Sequence, residues 1–434
     1  MHPGNFYTRL KASPRISRWM TPVVRKVWSW ERDLRRWLPL AYVPGLKQWS
    51  GRPRGFWPRA EDYLAVAQAM GGVRVVYPAG SGTRTWPQDA GGAVPEAFKR
   101  VAPLAWPAGR VIELKDVRLV GGYGGSVIAA DGRLVAELSP DIWGITRHEL
   151  FSRLQLPKAT RLDGVTLMVA TPEAPDNYSH WLFDLLPRLL MVEKAGWRLA
   201  ELDHVVINAG AAAFCGDTLA ALGVPAAKVR RLGAADAYRA ERMISGSLRG
   251  EPWWDSLPPD VCAELAARLL PAGAGRGGFP RRLYLSRTGA KFRRLVNEEE
   301  VVALFKAQGF EEFYPERHSF AEQVAAFRDA ELVAGPHGAA FCNLLFCAEG
   351  TGVLEIHAPS HFNVSYWTLS SYRKLNYTAV MGEPLSAETE KRIAAPSEGG
   401  NRGTKFLNFK VEAAALRGRI AEFVRGAGRQ GRNG

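Results

Sequence analysis

Glu331-Leu332-Val333-Ala334-Gly335-Pro336-His337-Gly338-Ala339-Ala340 reads as an apolar strand that turns, near Gly338, into a helix opening on small residues. The pattern on either side is the same. Upstream, Arg282 to Ser286 is a strand, and Asn297 to Gln308 is a helix with Asn297 as its N-cap and Glu300 placed for a capping box. Gly309 stops that helix. Glu312-Phe313-Tyr314 is the next strand, and Ser319, with Glu322 three residues on, caps a helix that runs to about Ala330. Downstream, Val353-Leu354-Glu355-Ile356 is a further strand. Strands alternating with helices in this way predict a parallel sheet covered by helices on both faces. Ligands of such sheets bind at the carboxyl ends of the strands, where Ser286-Arg287, Pro315-Glu316, Pro336-His337 and Glu355-Ile356-His357 all fall.

The residues at these strand ends suit an anion. Small side chains at Gly338 and Ala339 let a phosphate approach free backbone N–H groups, the helix dipole favours its charge, and His337 adds a donor. A tight turn that needs glycine for its geometry is the simpler alternative. Arg287, Lys291, Arg293 and Arg294 crowd the loop after the first strand, where they either clamp a diphosphate or form a solvated basic loop. Glu316 and Glu355 either hold ribose or sugar hydroxyls or pair with their own loops. Cys342, Cys347, His337 and His357 match no standard zinc spacing, and the chain contains no Asp-x-Asp, so no metal is expected.

The part of the chain before this run reads differently. Val111 to Leu114 and Val117 to Val120 are β-segments flanking a polar step, and Asp131-Gly132 marks a hairpin between Val127-Ile128 and Leu134-Val135. An α/β pattern follows: a strand at Leu167 to Ala170, a helix from Tyr178 to Lys194, a strand at Val205 to Ile207, a helix from Ala211 to Leu222 and a short strand at Val229. The run from Pro271 to Gly278 is the most linker-like in the chain. Within the Tyr178 helix, Asn177, His180, Asp184 and Arg188 form one polar stripe. His180 and Asp184 are one turn apart and can hydrogen-bond, which orients the imidazole as a general base for a hydroxyl nucleophile. The alternative is a buried polar cluster fixing the helix end, since Asn177 is also a good N-cap. Pro187 predicts a kink, because it removes the helical hydrogen bond to Phe183.

Composition sets the outer bounds. The 434 residues suffice for two or three domains, 47% of them are apolar, and the formal net charge is +14, which calls for an anionic partner. Basic residues are dispersed without an aromatic–basic recognition motif, which disfavours nucleic acid as that partner, and none is expected. No signal peptide or spanning segment is legible, and four cysteines give no disulfide framework, so a cytoplasmic protein is expected. The first ~60 residues interleave Trp19, Trp28, Trp30, Trp37, Trp49 and Trp57 with arginines, as an element lying on an anionic membrane surface does. Packing of those tryptophans on the neighbouring domain is the alternative.

Taken in order, Asn177-Tyr178-Ser179-His180-Trp181-Leu182-Phe183-Asp184-Leu185-Leu186-Pro187-Arg188-Leu189, Tyr284-Leu285-Ser286-Arg287, Asn297-Glu298, Pro315-Glu316, Ser319-Phe320-Ala321-Glu322-Gln323, Gly335-Pro336-His337-Gly338-Ala339-Ala340 with Asn343, and Glu355-Ile356 resemble glycosyltransferase family 61, in its bacterial capsular-polysaccharide-type branch. Phe341-Cys342 departs from it, standing where smaller or hydroxylated residues are common. The resemblance implies a GT-B α/β architecture, two Rossmann-like lobes with a cleft between them, here extended by the basic Trp-rich N-terminus. Its expected divisions are 1–100 for that region, 101–272 for an acceptor-side lobe, 279–385 for a nucleotide-sugar-binding lobe and 386–434 for a C-terminal helix and tail. It implies an inverting, metal-independent enzyme moving a sugar from a nucleotide-sugar donor to a glycan or lipid-linked acceptor in surface polysaccharide biosynthesis. The implied catalytic residues are His180, Asp184 and Asn177. The implied donor site comprises Ser286, Arg287, Arg293, Arg294, Glu316, His337, Gly338, Ala339, Asn343 and Glu355. A non-catalytic nucleotide- or glycan-binding scaffold of the same fold is the other reading.

Overall fold

The computed structural model describes residues 51–430, apart from 89–92, 102, 123, 142–143, 154, 173, 175–176, 209–211, 248–256, 271–277, 291 and 394–405. Most of the tryptophan-rich start, Lys291 and nearly all of the linker-like run at 271–278 therefore lie outside the described residues. Two sheets organise the rest. The nine-stranded first sheet is built on β1 (Gly109–Val120), β2 (Thr160–Met168), β3 (His204–Ile207) and β4 (Ala237–Gly246). The second sheet comprises β5 (Arg282–Leu285), β6 (Glu311–Phe313), β7 (Leu332–Pro336), β8 (Gly352–His357) and β9 (Asn376–Met381).

The second sheet is parallel throughout, in the order β6-β5-β7-β8-β9. Numbered within the sheet this is 2-1-3-4-5, so the chain reverses its direction of travel between β5 and β7. The side chains show why. Leu283, Leu285, Val333 and Val353 face one apolar cluster, while Tyr284, Leu332, Ala334, Leu354 and Ile356 face the other. Helix Glu298–Lys306 covers the second face through Val301, Val302 and Phe305, and helix Phe320–Asp329 covers the first through Phe320, Val324 and Phe327. Successive crossovers thus pass on opposite sides, as strands buried on both faces require.

Local signals hold in part. Ser319 and Glu322 form the expected capping box. Asn297 does not cap its helix: its amide bonds Glu300, at 3.0 Å, and the backbone of Val411, because the C-terminal segment packs across that helix start. The helix expected after Gly338 is a run of 3₁₀ turns over Ala339–Phe346, with its apolar residues buried on the first face of the sheet.

In the first sheet, the two β-segments around residues 111–120 are one strand, and the polar step is a single left-handed residue, Asp116, at φ +53°. Arg239 of β4 holds its carboxylate by two bonds of 2.6 Å. β4 was not legible as a strand because Arg239, Glu241 and Arg242 break its apolar run, yet it is central, antiparallel to β1 and parallel to β2. The helical segment Tyr178 to Lys194 lies on this sheet and joins it to the second. Leu182, Leu186 and Leu189 share one continuous apolar layer with Leu167 and Ile244 of the first sheet and Leu285 and Val333 of the second.

Arg188 locks that helix in place. Its guanidinium is buried and donates to the carbonyls of Met168, Ala170 and Gly246 and to Ser245 Oγ, at 2.7–3.2 Å. It therefore belongs to the scaffold, not to the polar stripe's chemistry. Replacing Arg188 by Met takes a donor from three carbonyls, two of which Ser245 Oγ still reaches, and lowers unfolding stability by about 3 kcal/mol or more in urea titration. A loss below about 1 kcal/mol would contradict this role.

Candidate active site

The reversal of winding between β5 and β7 opens a crevice at their carboxyl ends. Arg287 leaves the end of β5 and lies against Gly338, just past β7. A Cβ built on Gly338 would stand 2.1 Å from Arg287 Nη1, so any side chain there displaces that guanidinium; its φ of −175° is ordinary extended backbone. Glu298 fixes the loop by accepting from the Arg287 N–H at 2.7 Å and from Tyr284 Oη at 3.4 Å. Ser286 is buried and bonds Thr288, at 2.9 Å, inside the same turn. Arg293 completes the loop in a left-handed conformation, φ +52°, which costs roughly 1–2 kcal/mol in a residue with a Cβ. The Nε atoms of Arg287 and Arg293 are buried without hydrogen-bond partners. Burial, followed for Arg287 by the charge of Arg293, holds both guanidinium groups below their ordinary values. Two cations this close, with Glu298 already engaged by the loop, form a site for an anion.

His337 borders the same crevice. Its Nδ1 bonds Glu355 Oε1, Tyr377 Oη donates to Glu355 Oε2 at 2.5 Å, and His357 Nε2 lies 3.0 Å from Tyr377 Oη. Because the Tyr377 proton goes to Glu355, His357 donates to the phenol oxygen. Burial, then the charges of Arg293 and Arg287, push His337 down to about 3; burial pushes His357 down to about 4. Glu355 is fully buried with both oxygens engaged, so it orients His337 and does not face a sugar hydroxyl as one reading of the sequence had it. Among the described residues, His337, Glu355 and His357 each bring a potential metal-ligating atom within 4.8 Å of the others. Those atoms bond one another and Tyr377, so a cation would have to displace that network.

On the other side, Asn177 caps the helix by accepting from the Ser179 N–H at 3.0 Å, and His180 Nδ1 bonds Asp184 Oδ2 at 2.5 Å. The helix is α-helical over Tyr178–His180, π-helical over Trp181–Leu185 and α-helical again over Leu186–Lys194. Pro187 has no N–H for Phe183, and the widened turn immediately before it is the form taken by the expected kink. Trp181 Nε1 donates to Thr218 and keeps the turn seated.

Tyr366 joins the two groups. Its ring is 5.2 Å from that of His337, and its hydroxyl lies near Ser179, next to His180, and 3.5 Å from Cys342 Sγ. Burial above all pushes this phenol well above its ordinary value, so it stays neutral. A second tie runs alongside. Tyr178 Oη donates to Asn343 Oδ1 at 2.8 Å, Asn343 donates to Gln323 at 2.9 Å, and Gln323 donates to the carbonyls of Pro315 and His318. Asn343, expected in the donor site, is thus a fully buried clasp between the halves. Ala339 is half-buried beside Gly338, and Glu316 lies exposed in the turn after β6. Arg294 is exposed and its N–H is held by Asn408, whereas Arg293 shares the field of His337 and Tyr366. Tyr366, Tyr377, His357 and Glu298 were not singled out as site residues. Glu298 had a signal, opening its helix directly after the basic loop, and His357 stood at a strand end; the two tyrosines had none.

The large surface hollows lie elsewhere. One of about 440 Å³ is lined by Arg74, Glu113, Trp197 and Arg242, and one of about 760 Å³ by Glu300, Lys410, Glu412 and Arg417. Neither is lined by a histidine–carboxylate pair or by arginines whose Nε is buried without a partner, so the chemistry points to the crevice.

Residues 178–354 match the family model described as Glycosyltransferase 61, a span that begins at Tyr178 and ends one residue before Glu355. The chain carries a glycosyltransferase family 61 domain over these residues. It is accordingly a glycosyltransferase, acting between a sugar donor and an acceptor. A comparison with curated proteins gives no match.

The two buried histidines make stability depend on pH. Their folded values lie below the ordinary 6.5, so the unfolded chain binds the extra protons; stability is full above about pH 6.5 and is lost as pH falls toward 4. Each such proton contributes about 1.4 kcal/mol per pH unit. Glu355, held above its ordinary value by burial, works in the opposite sense and offsets part of the slope. Denaturation midpoints measured between pH 7 and 4.5 will fall on acidification, and less steeply in His357→Asn. Identical slopes in the two proteins would contradict the buried neutral imidazole.

Proposed function

We propose that this glycosyltransferase is an inverting, metal-independent enzyme that transfers a sugar from a nucleotide-sugar to a hydroxyl of a glycan or lipid-linked acceptor. The observation that carries the reading is Tyr366, which sets the His180–Asp184 pair beside the Arg287, Arg293 and His337 crevice. In this reading the acceptor hydroxyl gives its proton to His180 Nε2 while Asp184 holds the Nδ1–H. The hydroxyl oxygen attacks the anomeric carbon from the side opposite the leaving group, and the bond to the diphosphate oxygen breaks. The electron pair leaves with the nucleoside diphosphate, whose charge Arg287, Arg293 and His337 receive together with the backbone at Gly338 and Ala339. The guanidinium pair takes the place a divalent ion holds in metal-dependent transfer. Asn177 and Asn343 act as positioning residues, Glu355 through His337, and Glu316 at its strand end is offered for the nucleoside.

The arrangement proposed is GT-B: the five-stranded sheet is the donor lobe, and the parallel part of the first sheet, carrying His180, is the acceptor lobe. The basic, tryptophan-rich start supports a place on the cytoplasmic face of a bacterial membrane, near the lipid-linked intermediates of surface polysaccharide synthesis. No helix among the described residues is long and apolar enough to cross a membrane.

Steady-state kinetics and nucleotide titration test the division of labour. His180→Ala lowers turnover about 10²–10⁴-fold with nucleoside diphosphate affinity unchanged. A folded variant with wild-type turnover would remove His180 as the base. Arg287→Ala weakens nucleoside diphosphate affinity by about 1.5–3 kcal/mol, the scale of a charge-assisted hydrogen bond. Unchanged affinity would remove it from the donor site.

A further inference from the structure

The network behind His337 determines where that ring can accept a proton. Two donors run in series toward Glu355: His357 Nε2–H to Tyr377 Oη, at 3.0 Å, and Tyr377 O–H to Glu355 Oε2, at 2.5 Å. Burial holds Glu355 above its ordinary value, but the Tyr377 donor on one oxygen and the His337 ring on the other act against it and favour the carboxylate. His337 then carries its proton on Nδ1 and keeps a bare lone pair on Nε2. A lone pair repels the oxygen of a phosphate, whereas an Nε2–H would bond it.

The groups around the ring act in opposite directions. Arg287 and Arg293, from the loop after β5, oppose a charge on it. Glu355 on β8 favours one. His357 stacks at 5.7 Å and 25°, and His361, in the loop beyond β8, stands 5.3 Å away. Tyr366 and Tyr377 are neutral phenols. Without a ligand, the arginines and burial keep the ring neutral. A dianionic phosphate lodged between Arg287 and Arg293 cancels their field and adds its own, leaving Glu355 to favour the imidazolium.

We infer that His337 is a proton-linked anion receptor: binding of a diphosphate in the crevice draws one proton from solvent onto His337 Nε2. The pair passes from neutral imidazole with carboxylate to imidazolium with carboxylate, so one positive charge is added only when the phosphate is present. By linkage, the anion is held more tightly as pH falls, by up to about tenfold per unit for one proton. The inference rests on the donor-site reading above and adds to it that the site gains charge on binding.

Isothermal titration calorimetry of the full chain with UDP and with inorganic pyrophosphate tests it, at pH 7.5 in two buffers of different ionisation enthalpy. The expected result is uptake of between about half and one proton per diphosphate bound, abolished in His337→Gln, reduced in Glu355→Gln and retained in His361→Gln. Binding without uptake by the wild-type chain would overturn the inference while leaving the donor site standing; it would mean that Glu355 carries the proton and the ring already presents Nε2–H. Uptake that persists in His337→Gln, or that disappears in His361→Gln, would also overturn it. Failure of either probe to bind at all would remove the donor-site reading itself.

Discussion

An arginine side chain occupies the space that any residue larger than glycine would claim at position 338. That close approach, where β5 and β7 diverge, brings a guanidinium, the first turn after His337 and the His337 ring into one crevice. Several features serve it. Glu298 holds the Arg287 N–H, Arg293 accepts an unfavourable backbone conformation, and the Glu355 network holds His337 from behind. Among the described residues no carboxylate is bonded to either guanidinium, which is costly without an anion and useful where a diphosphate is received.

The other half of the chemistry is brought in by a helix that belongs to the first sheet. Arg188 anchors it to three strand-end carbonyls, and Pro187 forces the wider turn just before that anchor. The widened turn carries Asp184, and His180 sits immediately ahead of it. On the same turn Tyr178 bonds Asn343 of the second half and Ser179 lies near Tyr366, so the position of the imidazole is set by contacts from both sheets. The two sheets share one apolar layer, and the site lies where that layer gives way to polar groups.

Much of this was legible in the sequence because it depends on local rules. Strand and helix alternation after residue 280 follows from apolar periodicity and from the caps at Ser319 and Gly309. The parallel sheet then places Arg287, Glu316, His337 and Glu355 at one edge. His180 and Asp184 one turn apart made their pairing plain. What the sequence concealed depends on tertiary packing. β4 looked too charged to be central, since its Arg239 and Arg242 are neutralised by Asp116 and Glu113 of β1. Glu355 and Asn343 have residue types suited to binding a ligand, but whether their polar atoms face outward or inward is decided by Tyr377, Tyr178 and Gln323 from distant segments. Tyr366 lies in an otherwise unremarked aromatic stretch, and only its position between Ser179 and His337 gives it meaning.

The most direct test is a crystal structure of the chain with a nucleoside diphosphate bound. The diphosphate is predicted to lie between Arg287, Arg293 and the backbone of Gly338–Ala339, within hydrogen-bonding distance of His337 and on the Tyr366 side that faces His180. A diphosphate found instead in the hollow beside Trp197 and Arg242, with the crevice at Gly338 closed, would contradict the assignment of the active site.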